Sequence, residues 1–139
     1  MSAKRRARVI TVGMMAAAAL LVVGCASDPG PFEHGEPADL PAAVTDDLAE
    51  GVDASSVRLA GSDNTNSLYV LQKTEDGEKR GCLLVVANDG SDSTMACAPF
   101  AGMTAGGGGC SYTLHATVIA DDHPDRISDY VEGGCYGDE

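Results

Sequence analysis

Asp121-Asp122-His123-Pro124-Asp125 is the densest run of oxygen and nitrogen donors in the chain. Clustered carboxylates suit a hard cation such as calcium, which takes oxygen ligands. A calcium loop of the helix-loop-helix type needs a glycine at its sixth position and a bidentate Glu at its twelfth. Counted from Asp121, the chain has Arg126 and Glu132 there, so the glycine is missing. Asp121, Asp122 and Asp125 are therefore weak calcium candidates, and a turn rich in Pro and Asp explains the run as well. Ser111 and His115 fall on one face of an alternating stretch, as a nucleophile and a base would. Two strand steps separate them by roughly 13 Å, beyond hydrogen-bond reach. Asp46, Asp47 and Glu50 offer grouped carboxylates, but on the polar side of an amphipathic segment, where water solvates them. The glycines 106–109 could cradle phosphate, yet the Lys-Ser/Thr that closes a P-loop is absent. No catalytic constellation emerges, and the sequence points to no cofactor.

What positions these groups depends first on where the chain resides. Lys4, Arg5, Arg6 and Arg8 precede a stretch, Val9 to Val23, with no charge at all. A positive start followed by an apolar run is the grammar of an export signal. The run falls short of the ~20 apolar residues of a permanent membrane span, and its cationic start keeps the N-terminus cytoplasmic. Leu21-Val22-Val23-Gly24-Cys25 closes it. These residues resemble the lipobox of bacterial lipoproteins: aliphatic, then small or aliphatic, then Gly or Ala, then Cys. The resemblance implies that residues 1–24 are a signal peptide, that cleavage falls before Cys25, and that Cys25 carries a diacylglycerol. Such proteins commonly gain a third acyl chain on the new amino terminus. Two chains anchor stably where one binds only reversibly. The expected location is the extracytoplasmic face of the cell membrane, with lipid on Cys25 as the link. The alternative is a transmembrane anchor with an incidental cysteine. Arg5-Arg6 raises the twin-arginine route, but Ala7, Arg8, Val9 and Ile10 match that motif poorly.

The chain has formal net charge −12, with 21 acidic against 9 basic residues. Loss of the four signal cations makes the mature part more acidic still. Phosphate backbones and anionic head groups repel such a surface, which excludes nucleic acid as a partner and leaves the lipid as the attachment. Residues 25–38 hold Pro29, Pro31 and Pro37 with Gly30 and Gly35 and few apolar groups, and read as a flexible tether of roughly 20 Å. His34 within it reads as solvated. Residues 39–139 read as a single small globular domain.

With Cys25 assigned to lipid, Cys82, Cys97, Cys110 and Cys135 remain. Four cysteines in an exported domain read as two disulfides, and their long gaps lack the paired spacing of a zinc site. Asp76-Gly77 and Asp89-Gly90 lie between apolar runs and signal successive hairpins. If Asp89 and Gly90 are the central turn residues, pairing continues from 88 with 91 to 82 with 97. Cys82–Cys97 and Cys110–Cys135 are then the favoured bonds, with the other two connectivities still open. Cys82 to Ala87 is apolar throughout and reads as a central strand covered on both sides.

Leu40, Val44 and Leu48 recur at helical spacing, Asp39 suits an N-cap and Gly51 a stop, so the spacing predicts a helix over 40–50. Strands are expected at 57–60, 68–72, 82–87, 94–98 and 111–120, an irregular loop at 99–109, and either helix or strand in the tail. The expected fold is α+β: an N-terminal helix followed by a disulfide-stapled antiparallel meander of about five strands, with a small β-sandwich or barrel as the alternative. The order of lipobox, tether, helix and Cys82-Leu83-Leu84-Val85-Val86 hairpin loosely resembles small actinobacterial lipoproteins, a resemblance that implies no activity. The expected function is a non-enzymatic interaction or binding module of the cell envelope, with an envelope protein as partner. The alternatives are a small envelope hydrolase and a calcium-binding module.

Overall fold

The structure, a computed structural model, describes residues 30–99 and 101–137. The signal, the lipobox and Cys25 lie outside the described residues. The strands are β1 (Glu36–Pro37), β2 (Arg58–Ser62), β3 (Asn66–Glu75), β4 (Glu78–Ala87), β5 (Ser93–Ala98), β6 (Thr104–Gly107), β7 (Cys110–Leu114) and β8 (Val131–Cys135). They form two antiparallel sheets, one ordered β1-β2-β3-β4-β5 and one ordered β6-β7-β8.

Turn chemistry builds the larger sheet. Asp76 and Gly77 adopt φ of 52° and 80°, the primed geometry that joins β3 to β4 without splaying them. The next connection, Asn88 to Asp92, is looser, with the Ala87 N–H donating to the Asp92 carbonyl at 2.9 Å. It still sets Cys82 opposite Cys97, and the two are disulfide-bonded with Cα atoms 4.1 Å apart. In the smaller sheet Cys110 lies opposite Cys135, and that pair is bonded too. Each disulfide therefore ties the last strand of its sheet to a neighbour.

The strand run of β4 is apolar on both faces because both faces are covered. Leu83 and Val85 point with Leu68 and Val70 of β3 toward Ala105, Tyr112, Leu114 and Val131 of the smaller sheet, forming the main core. Cys82, Leu84 and Val86 point the other way with Leu71 and Val57.

The cover on that second face corrects the expected α+β fold. There is no N-terminal helix over 40–50: the helical part is one turn, α1 (Asp46–Ala49), and its preceding residue, Thr45, caps nothing with its side chain. Leu40, Ala43 and Val44 nevertheless lie on the Leu71–Leu84 face. Spacing put them on one side, and an irregular chain delivers them there. A helix of that length is marginal in water without strong propensity, and adjacent Val44 and Thr45 are both stiff at χ1. Gly51, at φ 76°, then brings its backbone against β3, where a Cβ would sit 2.3 Å from the Thr74 carbonyl oxygen.

Three further expectations change. The strand foreseen over 111–120 ends at Leu114. Tyr112 and Leu114 are buried as the alternation requires, but Val118 is 51% exposed, because β6 and β8 are too short to pair beyond that point. The loop foreseen at 99–109 contains β6, and Gly108 and Gly109 (φ 61° and 83°) make the turn into β7. The stretch foreseen as tether is folded from Gly30 onward. Pro31 is buried, Phe32 packs against the main core, and Glu36 and Pro37 pair with β2. Arg58 holds this stretch by donating from Nε to the Phe32 carbonyl at 3.2 Å.

Candidate functional site

Phe32 reaches its place because Gly81 has no side chain. A Cβ there would lie 2.1 Å from Phe32 Cζ, so the ring rests directly on the β4 backbone. Beside the ring opens a cavity of about 350 Å³, within the size range of small-molecule sites. Pro31, Phe32, Gln72, Gly81, Pro99, Ala101 and Ala116 line it. Gln72 is opposite Gly81, and Lys79 is opposite Thr74. Alternation along the strands therefore places Gln72, Lys79 and Gly81 on one face.

The lining is mainly apolar, with Gln72, Lys79 and Arg80 as its polar members. The Gln72 backbone is committed, donating to Ser56 Oγ at 2.8 Å and accepting from the Asp53 N–H at 2.9 Å. Its side-chain amide and the Lys79 ammonium make no hydrogen bond with the described residues. The other cations differ: Arg58 donates to Phe32 and Gly35 carbonyls, Lys73 to the Leu48 carbonyl, and Arg126 pairs with Asp121 and Asp129. Arg80 also borders the cavity, but its side chain belongs to the opposite face and pairs with Glu75 at 3.5 Å. No acidic residue among the described residues lines the cavity.

The histidines lie elsewhere. Each holds Nε2 near a carboxylate: His34 at 2.9 Å from Asp129, His115 at 3.0 Å and His123 at 3.1 Å from the two oxygens of Glu132. The loop from 115 to 130 folds back on β8, with the Ile119 N–H on the Asp129 carbonyl and the Gly133 N–H on the Asp125 carbonyl. That return brings His123 to Glu132. His34, read as solvated, also meets the Tyr130 ring edge-on at 5.3 Å.

The structure does not gather the calcium candidates. Asp121 turns to Arg126 at 2.7 Å and is almost wholly exposed, while the Asp122 and Asp125 carboxylates make no hydrogen bond or ion pair among the described residues. No group of three metal-ligating side chains converges among the described residues. Ser111 and His115 are not brought together, and Asp46, Asp47 and Glu50 are on the surface. The glycines 106–109 serve the β6–β7 hairpin. Sequence reasoning missed the Glu132 clasp and the cavity. The first had a signal: continuing the Cys110–Cys135 register sets Glu132 opposite Thr113, beside His115 on the same face. The second had almost none, since Phe32 meets Gly81 from far along the chain.

No family model, curated protein or solved structure matches the chain.

Proposed function

We propose that this protein is a lipid-anchored binding module on the extracytoplasmic face of the cell membrane, without catalytic activity of its own. The observation that carries the reading is the distance between anchor and fold. Among the described residues the chain is packed by Pro31, six residues after the lipobox cysteine, Cys25. At ~3.3–3.6 Å per extended residue the folded unit is held within roughly 20 Å of an acylated Cys25. The two disulfides agree with export to an oxidising compartment. A binding role fits the site: a mainly apolar cavity with two side chains, Gln72 and Lys79, that make no hydrogen bond among the described residues has the make-up of a ligand pocket. Hydrolysis would need a nucleophile beside a base, whereas all three histidines face carboxylates and the four cysteines of the fold are oxidised.

Mass spectrometry of the mature N-terminus tests the anchor. The expected result is a chain that starts at Cys25 and carries diacylglycerol, with or without a further acyl group. An unmodified Cys25, or a chain in which Cys25 is not the first residue, would overturn it.

A further inference from the structure

We infer that the cavity beside Phe32 binds the acyl chain of an anionic membrane lipid, with the lipid's acidic head group against Lys79 and Gln72. Three observations converge on that ligand. The first is shape and polarity: the walls are Phe32, Pro31, Pro99, Ala101 and Ala116, and the cavity is about 350 Å³. Such walls favour an apolar body, since burial of hydrocarbon is the main gain they offer.

The second is charge. In a chain of net charge −12, no carboxylate among the described residues lines this cavity, and the cation on its own face, Lys79, feels the Asp53 carboxylate only at a distance and makes no hydrogen bond among the described residues. An ammonium donates and never accepts, so its partner is an acceptor, and an anionic one gains most. The Gln72 amide beside it supplies a further donor or acceptor. Both groups lie at the hairpin end of β3 and β4, so the head group stays near water while the chain lies along Phe32.

The third is location, and this part rests on the anchor proposed above. Pro31 and Phe32 both line the cavity and are the first packed among the described residues. An anchor on Cys25 therefore keeps this cavity within roughly 20 Å of the bilayer. The ligand is then at hand in the membrane at high local concentration, and modest intrinsic affinity suffices.

The test uses the intact chain with nanodiscs that contain a photoactivatable fatty acid, or its methyl ester as the uncharged control. Adducts are mapped by peptide mass spectrometry, and the N-terminal peptide in the same spectra reports whether Cys25 is acylated. The expected adducts fall on the segments around Phe32 and residues 99–116. Their yield should drop about fivefold with the methyl ester and with Lys79→Met, the scale of one exposed ion pair. It should be lost in Ala116→Trp, which fills the cavity from an exposed position. Circular dichroism and intact disulfides verify that both variants fold. Adducts spread over the whole surface, or equal in Ala116→Trp, would overturn the site. Adducts in the cavity that ignore both the ester and Lys79→Met would overturn the anionic ligand. Cavity adducts on a chain with unmodified Cys25 would overturn the anchor alone and leave the cavity's ligand standing.

Discussion

Tyr112 donates its phenolic hydrogen to Asp63 Oδ2 over 2.6 Å, and this bond ties β7 in the small sheet to the turn that opens β3 in the large one. Asn66, itself buried, donates from Nδ2 to the same phenol oxygen at 2.8 Å. The other Asp63 oxygen accepts the Thr65 and Asn66 backbone N–H groups, each at 2.8 Å. A polar junction that would be costly if unpaired is satisfied on every side.

That junction makes stability fall in acid. Burial works to raise the Asp63 pKa, but the hydrogen bonds from Tyr112, Asn66 and Thr65 outweigh it and hold the carboxyl below its ordinary value. A lowered folded pKa contributes stability above the unfolded value of about 4, and that stability is lost as pH falls through the folded value. Urea unfolding from neutral pH to pH 3 should show the loss. Asp63→Asn should cost about 1 kcal/mol at neutral pH and flatten the acid limb. Tyr112 gives the alkaline counterpart. Burial first, and then the bond to Asp63, push its pKa up to about 12, so stability should decline as pH rises from about 10 toward 12. Tyr112→Phe should remove that decline and cost about 1–3 kcal/mol by leaving the Asn66 amide unpaired.

The disulfides should matter more than any single hydrogen bond. Cys82–Cys97 closes a sequence separation of 15, and loops of that size are stabilised by about 3 kcal/mol when cross-linked. Replacing both residues by alanine should lower the Tm by on the order of 10–20 °C in a domain of this size. Cys110–Cys135 spans 25, and its removal should cost slightly more. Calorimetry of the two double variants and the parent, all under oxidising conditions, measures both effects. A drop of under 2 °C for either pair would show that its strands are held by packing alone.

How much of this was legible follows local chemistry. Asp76-Gly77 and the unbroken Cys82–Ala87 run carried their own signals, and with them came β3, β4 and the cysteines' alignment. Those signals act over a few residues, where turn geometry and side-chain period decide. The Leu40-Val44-Leu48 spacing carried a true statement about the side on which Leu40 and Val44 are apolar and a wrong one about the backbone, because tertiary contact with Leu71 and Leu84 holds residues 40–44 while helical bonds form only over the single turn of α1. β6 is half glycine and has no strand propensity of its own; Tyr112 and Ser111 across the hairpin supply its partner. Phe32 on Gly81 joins residues 49 positions apart, and no local pattern announces such a contact.

The loop at 121–125 should not respond to calcium. Its best-placed carboxylate, Asp121, is paired with the Arg126 guanidinium, and a cation would have to displace that charge and then order Asp122 and Asp125 around itself. Thermal melts with and without millimolar calcium should agree within a few tenths of a kcal/mol. A larger stabilisation would mean that the cation binds the folded chain well below that concentration. Arg126→Ala would then be expected to enhance it.

The contact of Phe32 with Gly81 should appear as strong coupling between the two positions. Gly81→Ala alone puts a methyl where the ring lies, 2.1 Å from Cζ. The ring must move off β4, and the variant should lose about 1–3 kcal/mol, the usual scale of overpacking. Phe32→Ala alone removes a half-buried ring from the main core and should cost about 2–3 kcal/mol, below the range for a fully buried Phe. With the ring gone the new methyl loses its three nearest contacts, all of them Phe32 ring atoms, and a strand residue gains from alanine over glycine through reduced chain entropy. The double variant should therefore be no less stable than Phe32→Ala, giving a coupling of about 1–3 kcal/mol in denaturant unfolding. Additive losses would mean that Phe32 does not rest on Gly81, and that the folded unit does not begin as early as Pro31.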